Sequence, residues 1–265
     1  MSLTLFKATL KKNWLLFVII YGVLTMYTTV MISMYDPVDI TAITSMLEMF
    51  PEGLLNAMGF TGLTGNFTSY LASFLYGLLM IAFPMIYSII LSNKLVAKMV
   101  DNGSFAYLLS TPNSRTKIVV TQGIYALSSM LVLFLAVTGL GVAVCNLAFP
   151  GKLDLEAYFI LNLTTMLVDM VALMISFFFS CFFNETRLSI GFGAGIPILF
   201  LLLNMIGGAA EKLNFLKDFT IYGLYDPVKV VEGSQVWKIN LFYTGCILVL
   251  FVAGVLVFRK KRLPL

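Results

Sequence analysis

Residues 93–121 read NKLVAKMVDNGSFAYLLSTPNSRTKIVVT, a polar island between two apolar runs at 70–91 and 118–144. About twenty helical residues cover the ~30 Å hydrocarbon core of a bilayer, so each flanking run is long enough to cross one. The island itself carries the punctuation of two short helices. Leu95, Val96, Met99 and Val100 fall at three-and-four spacing, and Asn102-Gly103 supplies a C-terminal stop. Ser104 is expected to cap a second turn bearing Phe105, Leu108 and Leu109, which Thr111-Pro112 ends. Ser114 can cap the following span, with Arg115 and Lys117 at its membrane edge. Lys94, Lys98, Arg115 and Lys117 surround this elbow, and the residues alone support two readings. It is either a surface that docks something in the cytoplasm or an interfacial helix lying on anionic lipid.

Composition agrees with the flanking runs. Of 265 residues 60% are hydrophobic and 11% charged, against about 25% charged in soluble domains, which makes the chain an integral membrane protein. The net charge of +4 comes from cations at span ends, where they set orientation, and nucleic-acid binding is rejected. Cys145, Cys181 and Cys246 lie within or at the ends of apolar runs without CxxC spacing and read as small packing residues. Lys7, Lys11 and Lys12 before an apolar run resemble the start of a signal peptide. The run at 15–34 is too long for an h-region and lacks an A-x-A-like site, so it reads as a retained first span.

Six spans follow, at approximately 15–34, 70–91, 118–144, 158–183, 189–207 and 239–258, giving an all-α membrane protein in one domain over 1–265. Twelve of the seventeen Lys and Arg fall on the side of the termini and the elbow, which places both termini and the elbow in the cytoplasm. The first outer segment, 35–69, has no Lys or Arg. Ile43, Met46, Leu47 and Phe50, and then Leu54, Leu55 and Met58, predict two short amphipathic helices on the outer interface before a Gly-rich turn at 59–65. They read as a lid over an outward cavity or as a pad anchoring the first span. The last outer segment, 208–237, is polar, and Phe215, Phe219, Tyr222, Tyr225 and Trp237 suit the interface. Pro84 and Pro197 are expected to kink or break the second and fifth spans. A 3+3 inverted repeat pairing those two spans is not matched by the loops.

Little chemistry is available. There is no histidine, no GxxxxGK[ST] loop, no GxSxG elbow and no clustered carboxylate pair, so the chain is not read as an enzyme and binds no cofactor or metal of its own. The one ionisable residue deep in a span is Asp169, where a bare carboxylate costs at least ~2.5 kcal/mol. Thr165, four residues earlier, shares its face. Asp169 reads either as a proton or cation relay or substrate contact, or as an acid that locks helices together. Gly191 and Gly195 form a GxxxG, suited to close packing within the chain or across a dimer.

Three stretches resemble the permease subunits of ABC-2-type transporters: LEMFPEGLLNAMGF at 47–60, DNGSFAYLLSTPNSRTKIVVTQ at 101–122, and YGLYDPVKVVEG at 222–233. That family has an acidic-Gly-x-hydrophobic-x-x-Leu-Leu-x-x-Pro-x-x-Arg pattern before the third span. Here it falls on Asp101, Gly103, Phe105, Leu108, Leu109, Pro112 and Arg115, and the Asp-Pro…Gly signature on Asp226, Pro227 and Gly233. The family's paired glutamates are here Asp101-Asn102. The resemblance implies that the elbow, from Leu95 through Met99 to Arg115, is a coupling helix docking on a separate ATPase that holds ATP and Mg. It further implies a bacterial plasma-membrane exporter of two permeases, identical or paralogous, and two ATPases, with permease contacts through the first and fifth spans and so through Gly191 and Gly195. A hydrophobic or amphipathic substrate, such as a peptide or lipid-like drug, suits inner faces of spans one, two and five. The alternative is a self-contained cation- or proton-coupled carrier working through Asp169.

Overall fold

The structure is a computed structural model and describes residues 1–35, 49–57, 66–111, 113–233 and 236–262. These residues form helices and no strand. In chain order the elements are α1 (Leu3–Ser33), α2 (Glu52–Ala57), α3 (Phe67–Phe74), α4 (Leu79–Leu95), α5 (Ala97–Asp101), α6 (Ser104–Leu109), α7 (Arg115–Ala148), α8 (Leu155–Phe182), α9 (Thr186–Ala209), a 3₁₀ helix (Glu211–Phe219), α10 (Pro227–Val231) and α11 (Val236–Lys260). Six helices, α1, α4 with α5, α7, α8, α9 and α11, are long and apolar enough to cross a membrane. The first predicted amphipathic helix and the Gly-rich turn lie outside the described residues, as does Met58; the second is α2.

The spans run further than apolarity alone predicts. The first begins at Leu3 instead of 15, because Lys7, Lys11 and Lys12 are good helix formers that reach water from exposed positions. The second span is interrupted, at 75–78 and not at Pro84. Proline lacks only one amide donor, and α4 runs through Pro84 as α9 runs through Pro197. The Pro84 carbonyl accepts from Ser88 Oγ at 2.8 Å.

The helix α8 is the centre of the bundle: four-fifths of its apolar window is buried, against about a fifth for α1, α9 and α11. At one end lie the elbow and both chain ends. There the Ser2 amide donates to Thr121 Oγ1 (2.9 Å), and Lys261 Nζ donates to the carbonyls of Cys181 (3.0 Å) and Phe183 (2.6 Å). At the other end the Asp154 amide donates to Thr68 Oγ1 (3.1 Å), and α2 lies against the last turn of α9. That contact has no room for side chains. A Cβ on Gly53 would fall on the Ala209 carbonyl, and one on Gly208 would stand 2.8 Å from the Asn56 carbonyl. Neither obstacle is a side chain that can swing away.

These close approaches give a first prediction. Gly53→Ala and Gly208→Ala are expected to destabilise the purified chain by about 1–3 kcal/mol, read as a fall in Tm in detergent. Gly191→Ala and Gly195→Ala, whose Cβ atoms would meet nothing within 4 Å, should leave Tm unchanged. An unchanged Tm in Gly53→Ala and Gly208→Ala would show that the α2–α9 contact can accommodate a Cβ and would overturn this close approach.

Candidate functional site

Two short helices, α5 and α6, stand between the second and third spans. Gly103 takes the left-handed conformation (φ 72°) that turns the chain from α5 into α6. Ser104 does not cap α6; it is the first residue of that helix, and Asn102 Oδ1 accepts from both the Ser104 amide (3.1 Å) and its hydroxyl (2.6 Å). This Asx turn satisfies the first amide of the helix, that of Ser104, from two positions back. Two hydroxyls close the far end, Ser110 Oγ donating to the Tyr107 carbonyl and Thr111 Oγ1 to that of Leu108. Ser114 caps α7, accepting from the Lys117 amide at 3.2 Å.

The predicted elbow residues divide into those that hold it and those that face outward. Leu95 and Phe105 are buried in the chain's own core, Phe105 against Phe258 with ring centroids 5.2 Å apart. Met99, Leu108 and Leu109 are half-buried against that core. Asp101, Gly103 and Arg115 are exposed, and Pro112 lies outside the described residues. The residue missed in the sequence is Tyr107, a large ring 79% exposed on the elbow's outer surface next to exposed Ala106. Its signal was positional: it lies two residues from Phe105 and therefore on the opposite side of α6.

Three ties connect the elbow to the spans. The Ala97 amide donates to Ser180 Oγ of α8 (2.9 Å), and that hydroxyl donates to the Ser92 carbonyl of α4 (2.8 Å). The Thr186 amide at the start of α9 donates to Asp101 Oδ2 (3.1 Å). Phe105 on Phe258 reaches α11.

The opposite end holds a polar vestibule. A cavity of about 290 Å³ lies among Gly77, Ile81, Asn204, Asn214, Lys217 and Tyr225 and opens into a wider space of about 730 Å³. Asn56 of α2 lines both. The floor is made by a piece of the last outer segment that folds inward. Tyr222 and Tyr225, expected at the interface, are buried, whereas Phe215, Phe219 and Trp237 are exposed there. A phenol is admitted to the interior when its hydroxyl finds a partner. Thr165 Oγ1 gives its proton to the Leu161 carbonyl (2.7 Å), so Tyr225 Oη donates to Thr165 Oγ1 at 2.8 Å and stands 3.2 Å from the Tyr76 carbonyl. Tyr222 Oη donates to Met85 Sδ, and Tyr243 Oη donates to the Ile221 carbonyl. Asp226 caps α10, accepting from the Val228 and Lys229 amides.

Asp169 lies beneath this floor, fully buried, and neither carboxylate oxygen has a hydrogen-bond partner among the described residues. Its predicted neighbour Thr165 is occupied by Tyr225 and by the Leu161 carbonyl. Gly191 and Gly195 open away from the protomer, and it is Gly193 between them that packs inward, on Ser176 of α8. Ser176 Oγ donates to the Gly193 carbonyl at 2.6 Å. The described residues hold no cluster of metal-ligating side chains.

Comparison with known proteins agrees with this architecture. A family model described as ABC-2 family transporter protein matches residues 6–263, nearly the whole chain. No curated protein and no solved structure matches it.

Two predictions arise from the ionisable groups. Asp169→Asn keeps the shape and removes an acid that has no partner, so Tm should hold or rise; a loss above about 5 °C would reveal a partner for the carboxylate. The second concerns Lys261, which burial draws down to about 8 even though two carbonyls accept from it. The unfolded chain keeps that proton to about pH 10.4, so between roughly pH 8 and 10.4 the unfolded state binds more protons. The stability of the native chain relative to Lys261→Met should therefore rise with pH across that window, measured by denaturation at several pH values. A flat difference would refute it.

Proposed function

Because the chain belongs to the ABC-2 family of transporter proteins, we propose that it is the membrane-spanning permease subunit of an exporter whose ATP is hydrolysed by a separate ATPase chain. The observation that carries this reading is the elbow: a compact helical pair with an exposed aromatic face, tied from behind to α8, α9 and α11. Such a part can receive a push on one side and deliver it to three spans on the other.

The elbow end is the cytoplasmic end, as the distribution of Lys and Arg requires. Tyr107 and Ala106 are the contact surface for the ATPase, with Asp101 and Arg115 at its rim, and Leu95, Met99, Gly103, Phe105, Leu108 and Leu109 set its shape. Two ATPases holding ATP and Mg close on nucleotide, and the elbows carry that motion into a pair of permeases. The closure moves the spans only if the ATPase binds the inward- and outward-facing states with different affinity. The outward faces of α1 and α9 are largely exposed on the protomer, and open Gly191 and Gly195 allow a second permease to approach α9 closely. The vestibule is the outer exit, with α2 as its lid. An apolar groove of about 370 Å³ between α1 and α7, walled by Phe6, Leu10, Trp14, Phe17 and Val132, supports a hydrophobic or amphipathic substrate reaching the complex from lipid.

The test is co-purification of the tagged chain from its native membrane in mild detergent. A soluble ATPase is expected in about equal amount, and Tyr107→Asp with Ala106→Asp should reduce it at least tenfold while the permease itself keeps its Tm. A permease that purifies without any ATPase would overturn this reading.

A further inference from the structure

The elbow end carries a second constellation, on the side facing α1. Lys12 and Asn13 of α1 meet Lys94, Lys98, Met99 and Asn102 of the second span and elbow around a pocket of about 110 Å³. The residues come from segments about eighty positions apart in the chain, so local sequence does not bring them together. All three lysines are exposed, and among the described residues none forms an ion pair. No carboxylate lines the pocket. Three ammonium groups around one small space repel one another unless an anion sits between them.

The remaining polar lining also offers donors. Asn13 is buried (4% exposed) and uses one amide hydrogen on the Thr9 carbonyl, leaving the second. Asn102 spends its side-chain oxygen on Ser104, which leaves its amide as the group it can present. Met99 adds an apolar wall. Depth narrows the anion further: Lys12 and Lys94 stand where the apolar stretches of the first and second spans meet the elbow end, at the level of lipid headgroups. Volume, donors and depth together fit a tetrahedral phosphate that arrives on a lipid.

We propose that Lys12, Lys94 and Lys98, with Asn13 and Asn102, bind the phosphate of an anionic phospholipid in the leaflet at the elbow end. The site rests on the reading above only in calling that leaflet cytoplasmic. A phosphate held there bridges α1 to the first turn of the elbow, two parts that otherwise meet through like charges. The bound lipid thereby fixes the elbow's position relative to α1, which makes the elbow's geometry dependent on lipid composition.

The experiment uses the full chain, with its co-purifying ATPase where present, in nanodiscs of phosphatidylcholine with increasing phosphatidylglycerol. Bound phosphatidylglycerol is counted by native mass spectrometry, and Tm is followed in parallel. The native chain should retain phosphatidylglycerol over phosphatidylcholine and gain Tm with it. Lys12→Gln/Lys94→Gln/Lys98→Gln should bind it at least tenfold more weakly, and the matching triple Lys→Arg variant should restore it. A control triple of Lys7→Gln, Arg259→Gln and Lys260→Gln, which removes equal charge from the same end, should bind as the native chain does. Equal loss in the control triple would show a diffuse surface charge and overturn the site. Inorganic phosphate or glycerol phosphate giving the same Tm gain as the lipid would overturn the lipid as the source of the phosphate. The ATPase retained by the Lys→Gln triple reports on the coupling reading separately, since Tyr107 and Ala106 are intact in it.

Discussion

A polar side chain inside a bilayer has no water to turn to, so it must find its partner within the protein. Among the described residues one helix, α8, carries more of those groups than any other. Its Asn162, Thr165, Ser176 and Ser180 each meet a different neighbour: Tyr76, Tyr225, the Gly193 carbonyl, and the Ser92 carbonyl with the Ala97 amide. Each bond fixes both the rotation of α8 and the register of the element it reaches. Apolar packing alone specifies this poorly, because lipid tails solvate Leu and Phe as well as another helix does. The polar stripe of α8 is thus the device that turns six apolar helices into one arrangement.

The stripe also explains how the two functional ends are held. Its half toward the vestibule, Asn162 and Thr165, anchors the interrupted second span and the inward-folded segment that floors the vestibule. The break at 75–78 serves this: Tyr76 lies in it, where its carbonyl stands 3.2 Å from Tyr225 Oη while its hydroxyl donates to Asn162. The half toward the elbow, Ser176 and Ser180, anchors α9 and the elbow. Aromatic packing adds to both ends, Tyr35 on Phe67 at the vestibule end and Phe105 on Phe258 at the elbow end.

What was legible in the sequence follows from how many dimensions each property needs. Crossing a bilayer is a one-dimensional demand on length and apolarity, so the six spans could be read directly. Orientation within the bundle is three-dimensional, and there the residues were ambiguous. Gly191, Gly193 and Gly195 look alike in a row, yet only Gly193 packs on this chain. Tyr222 and Tyr225 suit an interface as well as a satisfied interior, and only the positions of Thr165, Tyr76 and Met85 decide between them. Pro84 drew the expected break because proline costs a soluble helix about 3 kcal/mol. The break went instead where Gly77 and Leu78 leave the helix to line the vestibule. The elbow's outward face was missed for the same reason: its pattern names the residues that shape it, and Tyr107 is defined only by what faces the other way.

The same geometry constrains how the ends communicate. A helix of 28 residues is about 42 Å long at 1.5 Å per residue, a stiff rod whose ends shift together. The elbow is bonded to one end through Ser180 and the vestibule floor to the opposite half through Thr165. Displacing the elbow by more than the slack of a hydrogen bond must therefore either break the Ala97–Ser180 bond inside an apolar core or carry α8 with it. Breaking it strands a buried amide, at about 1–3 kcal/mol, with no water to compensate. Carrying α8 moves Thr165 against Tyr225, and so moves the floor of the vestibule. Between the two anchor points lies Asp169, which has no hydrogen bond to lose among the described residues. Asp169, open in the sequence between a relay and an acid that locks helices, makes no such lock among the described residues, and with Thr164 it leaves α8 free to move there.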